Sequence, residues 1–219
     1  MIKGFLFDLD GVITDSAEYH YRAWKKLAEK IDIKIDREFN EQLKGVDRMN
    51  SLERILKYGN KENDFTEQEK AALAVEKNDD YLTLIQLITP EDILPGIMEL
   101  MNKIKEHDLK MGLTSASKNA PFILEKLGIS EMFDIVVDPA TLSKSKPDPE
   151  IFLKGAQLLG LEPSQCIGVE DAEAGIESIR KAGMFSVGVG DEVSMRDADY
   201  RVETTAQLDF DKIMAAAGK

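Results

Sequence analysis

FDLDGVITD, residues 7–15, decides how the rest of the chain is read. Phe7, Leu9, Val12 and Ile13 are core-type side chains, while Asp8, Asp10 and Asp15 carry charge. Burying an unpaired charge costs several kcal/mol or more. Carboxylates at the end of the first apolar run therefore either face water or meet something cationic.

That run, IKGFLFDLD (2–10), is followed by KMGLTSAS (110–117), FDIVVD (133–138), CIGVED (166–171) and FSVGVG (185–190). Most are continuously apolar rather than alternating, the pattern of parallel strands covered on both faces. Residues 96–108, 121–128, 149–160 and 172–183 lie between or beside them with helical spacing. Gly128, Gly160 and Gly183 stand where helix C-caps belong. Such alternation predicts a doubly wound α/β domain. Residues 15–88 break it, with helical patterns over 17–31, 50–59 and 66–88 and no convincing strand. We read them as an α-helical cap inserted into a core made of residues 1–14 and 89–219. The crossings, near Val12–Ser16 and in TPEDILPG (89–96), would form a hinge.

The chain has 219 residues, with 28 Lys and Arg against 41 Asp and Glu, a formal net charge of −13. That balance argues against nucleic acid and anionic membranes as partners. No apolar run approaches the roughly 18 residues of a membrane span. The first run is too short for a signal peptide, and Asp8 interrupts it. The one cysteine, Cys166, reads as a buried inert thiol. A soluble, cytoplasmic protein is expected, and a monomer, since no apolar stripe stands out.

In open α/β sheets, ligands bind beyond the carboxyl ends of the strands. Asp8 and Asp10 end the first run; Thr114, Ser115, Ser117 and Lys118 end the second; Glu170 and Asp171 end the fourth. Lys146 lies in SKSKPDPE, held extended by Pro147. Singly, each has an ordinary reading: a solvated strand end, a loop hydroxyl, a surface lysine, or, for Asp171, a helix N-cap. Jointly, four connections deliver acid, hydroxyl, base and acid to one sheet edge. Carboxylates plus waters suit Mg²⁺, and hydroxyls with a lysine suit a phosphate beside it. Asp8 is then placed to attack phosphorus. Asp8 and Asp10 share a face of an extended chain, and Gly11 permits the turn that follows.

FDLDGVITD, LTSAS, SKSKPDPEIF and GVEDAEAGIESIRKAGM, in this order, resemble the four motifs of the haloacid dehalogenase superfamily of phosphotransferases. The resemblance implies a Rossmann-like core and an aspartyl-phosphate intermediate. It makes Asp8 the nucleophile and Asp10 the general acid/base, with Ser115 and Lys146 holding the transferring phosphoryl group. Asp8, the Asp10 carbonyl, Glu170 and Asp171 would organise Mg²⁺.

GVITDSAEYHYRAWKKLAEKI, FNEQLKGVDRMNSLERIL and SASKNAPFILEKLG resemble, within that superfamily, the β-phosphoglucomutase family. This implies interconversion of β-glucose 1-phosphate and glucose 6-phosphate through β-glucose 1,6-bisphosphate. Lys44, Gly45, Val46, Arg48, Ser51 and Lys77 become cap contacts to substrate, and Ser117, Lys118 and Asn119 core contacts. His20 would couple cap closure, which excludes water, to proton transfer at Asp10. Tyr21 and Trp24 read as cap core. The chain departs from the family pattern at Ser16, where threonine is expected, and at Asp47, where serine is expected before the arginine. An acid at Asp47 would weaken a distal phosphate site unless it points outward or pairs with Arg48. A sugar-phosphate phosphatase on the same core is the alternative reading. A phosphorylated receiver-type switch is a third, disfavoured by the large cap.

Overall fold

The computed structural model describes residues 1–218. It divides into two compact units, Met1–Asp15 with Thr89–Lys219, and Ser16–Ile88.

The first unit is an α/β fold on a six-stranded sheet. Its strands are β1 (Gly4–Phe7), β2 (Lys110–Leu113), β3 (Ile135–Val136), β4 (Cys166–Glu170), β5 (Phe185–Val189) and β6 (Tyr200–Val202). They run parallel in the order β3-β2-β1-β4-β5-β6. Phe7 pairs with both Leu113 and Val169, so Asp8, Thr114 and Glu170 follow at one level of three adjacent strands. The unit's helices are Ile97–Glu106, Ala120–Lys126, Glu150–Leu159, Glu173–Lys181 and Phe210–Ala217. Leu6, Phe152, Leu159, Ile176 and Ile179 meet in one buried cluster, as expected for apolar strands covered by apolar helix faces. Gly128, Gly160 and Gly183 have positive φ at helix ends, as their spacing predicts.

The two segments near the crossings are paired rather than loose. Thr14 bridges Ile93, the Leu94 amide donates to the Ile13 carbonyl (2.9 Å), and the Thr14 hydroxyl donates to the Asp92 carbonyl (2.8 Å). Strands stop before the ends of the apolar runs: β1 ends at Phe7 and β2 at Leu113. The polar residues just beyond them, Asp8, Thr114 and Ser115, are buried. β6 and the helix Phe210–Ala217 have no counterpart in the sequence expectations.

The second unit holds α1 (Ala17–Lys30), α2 (Arg37–Glu41), α3 (Arg48–Tyr58) and α4 (Glu67–Ile85). Trp24, Leu27, Leu52, Ile55 and Leu56 form its core, and Tyr21 is buried too. Thr66 and Glu69 make a reciprocal capping box at the start of α4, worth about 1 kcal/mol. Among the described residues no helix is long and apolar enough to cross a membrane.

Candidate active site

The site begins where β1 ends. The Asp8 amide still donates to the Val169 carbonyl (3.0 Å), which keeps its backbone in line with the sheet. The chain then turns: Gly11 has φ +79°, and a Cβ there would lie 2.1 Å from an Asp171 carboxylate oxygen. Conformation and space both demand glycine. Thr114 ties the end of β2 to that of β1, donating from its amide (2.8 Å) and hydroxyl (3.1 Å) to the Phe7 carbonyl. Ser115 is buried, and its hydroxyl accepts from the Ser117 amide (3.1 Å); the Ser117 hydroxyl accepts in turn from the Asn119 amide (3.3 Å). Lys118 is exposed.

Lys146 enters from the loop before the helix Glu150–Leu159, and its peptide bond to Pro147 is cis. Its ammonium is buried and donates to Asp8 Oδ1 (2.9 Å) and Glu170 Oε1 (2.5 Å). Burial alone would lower the lysine's pKa. The Asp8 and Glu170 carboxylates outweigh it and hold the ammonium above its ordinary value, so Lys146 is a permanent cation here. The other Glu170 oxygen accepts from the amides of Asp171 (2.9 Å) and Ala172 (3.0 Å), at the start of the helix Glu173–Lys181. Backbone donors at a helix start favour a carboxylate. A Cβ on Gly175 would lie 2.0 Å from that carboxylate, so glycine leaves the room it occupies.

Asp8, Glu170 and Asp171 each offer an oxygen within 4.8 Å of one another. One ammonium among three carboxylates leaves the cluster negative. Hard oxygen donors at this spacing, in surplus negative charge, fit a small divalent cation such as Mg²⁺. The Asp10 side chain is not part of this group.

The remaining sequence-predicted residues lie in the helical unit. His20, partly buried, stacks on Tyr81 with ring centroids 4.0 Å apart. Its Nδ1 is 2.8 Å from the buried Lys77 ammonium, which also sits 4.7 Å from the ring centroids of Trp24 and Tyr81. An ammonium can only donate; Nδ1 therefore accepts and the neutral ring carries its proton on Nε2. Burial first, then Lys77 and Arg48, hold the His20 pKa well below its usual value. Arg48 donates to the Asn78 side-chain oxygen Oδ1 (2.6 Å). Lys44 pairs with Glu41 (2.8 Å), Gly45 has φ +68°, and the buried Ser51 hydroxyl donates to the Val46 carbonyl (3.3 Å). Asp47 is the N-cap of α3, accepting from the amides of Met49 and Asn50, both at 3.1 Å. Its acid therefore serves the helix it precedes, the work a serine would do there.

Sequence reasoning did not single out Tyr81, yet it lies four residues after Lys77 on one face of α4, a spacing at which side chains meet. Cys166 is the inert thiol expected: burial pushes its pKa up to about 11, and it donates weakly to the Glu162 carbonyl (3.7 Å).

The haloacid dehalogenase-like hydrolase family matches residues 2–183. A beta-phosphoglucomutase of Bacillus subtilis is 53% identical over 94% of this chain and 92% of that protein. The fructose-1-phosphate phosphatase YqaB of Escherichia coli is 30% identical over 85% of this chain and 95% of that protein. Among solved structures, a beta-phosphoglucomutase from Clostridium difficile superposes with a TM-score of 0.98 at 52% identity, covering 100% of this chain and 98% of that one.

Proposed function

The chain belongs to the haloacid dehalogenase-like hydrolase family, and from that premise we propose a phosphomutase that interconverts β-D-glucose 1-phosphate and β-D-glucose 6-phosphate. The likeness to the Bacillus subtilis enzyme carries this reading, because it runs through the helical unit as well as the core. In the proposal, residues 1–14 and 89–219 perform phosphoryl transfer and residues 15–88 act as the cap.

The core chemistry follows from the carboxylate cluster. Asp8, Glu170 and Asp171, with the Asp10 carbonyl, would hold Mg²⁺, which offsets charge on the transferring phosphoryl group. An Asp8 oxygen attacks phosphorus, forming an acyl-phosphate bond as the sugar–oxygen bond to phosphorus breaks. The departing sugar oxygen takes a proton from Asp10. In the reverse step Asp10 removes a proton from a sugar hydroxyl, which attacks the Asp8 phosphate and frees the carboxylate. Lys146 and the Ser115 hydroxyl hold the phosphoryl oxygens. Lys146 already lies on Asp8, so its charge is in place before substrate arrives.

A mutase must also hold a second phosphate, because β-glucose 1,6-bisphosphate reorients between the two transfers. We assign that anion to the loop of the helical unit around Arg48; Lys44, Gly45, Val46, Ser51 and Lys77 are proposed as that unit's substrate contacts, and Ser117, Lys118 and Asn119 as the core's. Arg48 suits bidentate capture of phosphate. His20, neutral and with its proton on Nε2, is the cap's donor toward Asp10 or substrate. The protein would act as a cytoplasmic monomer. The test is steady-state turnover of β-glucose 1-phosphate with and without trace bisphosphate. A mutase needs the bisphosphate or another phosphoryl donor to stay primed, and turnover indifferent to any donor would refute this mechanism. A sugar-phosphate phosphatase is the second reading, favoured by the 30% identity to the Escherichia coli phosphatase; it would use the same core and release inorganic phosphate.

A further inference from the structure

Lys146 is the centre of the site, yet it stands on neither a helix nor a strand. It belongs to the loop Leu142–Pro149, between a short turn at Pro139–Thr141 and the helix Glu150–Leu159. Something else must hold its backbone while its ammonium is fixed between Asp8 and Glu170. The first residue of that helix, Glu150, reaches back over the loop. Its Oε1 and Oε2 both accept from the Ser143 amide at 3.0 Å, and Oε2 accepts from the Lys144 amide at 2.8 Å. On the far side of Lys146, the fully buried Ser178 hydroxyl donates to the Asp148 carbonyl at 2.6 Å. Asp148 closes the loop, its amide bonding the Ser145 carbonyl (3.0 Å) and its Oδ1 accepting from the Glu150 amide (3.1 Å). The loop is gripped on both flanks of Lys146, by one carboxylate and one hydroxyl.

We propose that Glu150, seconded by Ser178, is a positioning residue for catalysis: its carboxylate clasps the Ser143 and Lys144 amides and so sets where the Lys146 ammonium stands over Asp8. The geometry fits this better than a general stabilising role. Glu150 is spent on the Ser143 and Lys144 amides, which precede the lysine, and Ser178, on the helix Glu173–Lys181 that follows Glu170 and Asp171, is spent on the backbone after it. Misplacing a charged group by about an ångström costs on the order of 100-fold in rate. This inference rests on reading Asp8 and Lys146 as the reacting pair.

The test compares Glu150→Ala, Glu150→Gln and Ser178→Ala with the parent protein. The ¹⁵N-resolved lysine ammonium resonance of Lys146, identified by its loss in Lys146→Met, reports the lysine directly. Turnover reports the consequence. In Glu150→Ala the resonance should shift or broaden away, and kcat should fall about 100-fold with KM changed less than threefold. Glu150→Gln keeps one acceptor oxygen and should recover part of both readouts; Ser178→Ala should show a smaller loss of the same kind. If Glu150→Ala does not fold, the other two variants decide. Folded variants with the parent resonance and kcat within twofold would overturn the proposal. A general loss of stability, with the resonance in place in the folded fraction, would overturn it too. If the product is inorganic phosphate, the mutase reading fails, but the resonance and the hydrolytic kcat still judge the clasp.

Discussion

Replacing Lys146 with methionine removes the cation that sits between two buried carboxylates, and the cost can be worked from the geometry. The ammonium lies 2.9 Å from Asp8 and 2.5 Å from Glu170, and none of the three side chains is more than 5% exposed. Surface pairs contribute about 0–1 kcal/mol, but breaking a buried pair by removing one partner costs about 3–5 kcal/mol. At about 2–4 °C per kcal/mol for a chain of this size, the core unit of Lys146→Met should melt roughly 6–20 °C lower. The assay is differential scanning calorimetry in EDTA, which keeps divalent cations from replacing the lost charge. Trp24 fluorescence marks the unfolding of the helical unit. Lys146→Met/Glu170→Gln should be less destabilised than Lys146→Met alone, because it removes an anion together with the cation. Their coupling should exceed about 1 kcal/mol, where independent sites add within about 0.5 kcal/mol. A midpoint lowered by less than about 3 °C, or strictly additive variants, would refute the reading of Lys146 as the charge holding Asp8 and Glu170 together.

Arg48→Ala should cut mutase kcat/KM by roughly 10- to 100-fold, the worth of a charge-assisted hydrogen bond of about 1.5–3 kcal/mol; parallel assays of a sugar monophosphate should show hydrolysis much less affected. His20, held below its ordinary pKa by burial first and then by Lys77 and Arg48, should stay neutral at pH 6 in imidazole NMR; Lys77→Met should move its midpoint up. Asp47→Ala should cost about 1 kcal/mol through the lost N-cap, read as faster amide exchange at the start of α3, while Asp47→Ser should cost little. Cys166, with its thiol pushed up to about 11, should resist alkylation at pH 8 until the protein is unfolded.

Much of this was legible in the chain because strand and helix periodicities are local. Continuous apolar runs placed β1 to β5, and polar residues just past them marked the edge where chemistry collects. β6 escaped notice because Tyr200–Val202 is three residues with an arginine in the middle, too short to show a period. The five-residue α2 escaped for the same reason. The residue types of the site were visible at strand ends, but their pairings were not. Lys146 meets Asp8 across 138 positions of sequence; the motif resemblance implied a place beside the phosphoryl group at Asp8, but not the bond to Glu170. The same holds for His20 and Lys77, brought together by the packing of α1 on α4. Asp47 looked like an acid misplaced beside an arginine; only the helix start at Arg48 shows its carboxylate at work as a cap.

The most direct measurement is a ³¹P NMR time course of the protein with Mg²⁺, β-glucose 1-phosphate and a trace of glucose 1,6-bisphosphate. A mutase working through Asp8 converts the substrate signal into that of glucose 6-phosphate, with little inorganic phosphate. Inorganic phosphate as the main product would contradict it: water, not a sugar hydroxyl, would then be taking the phosphoryl group from Asp8.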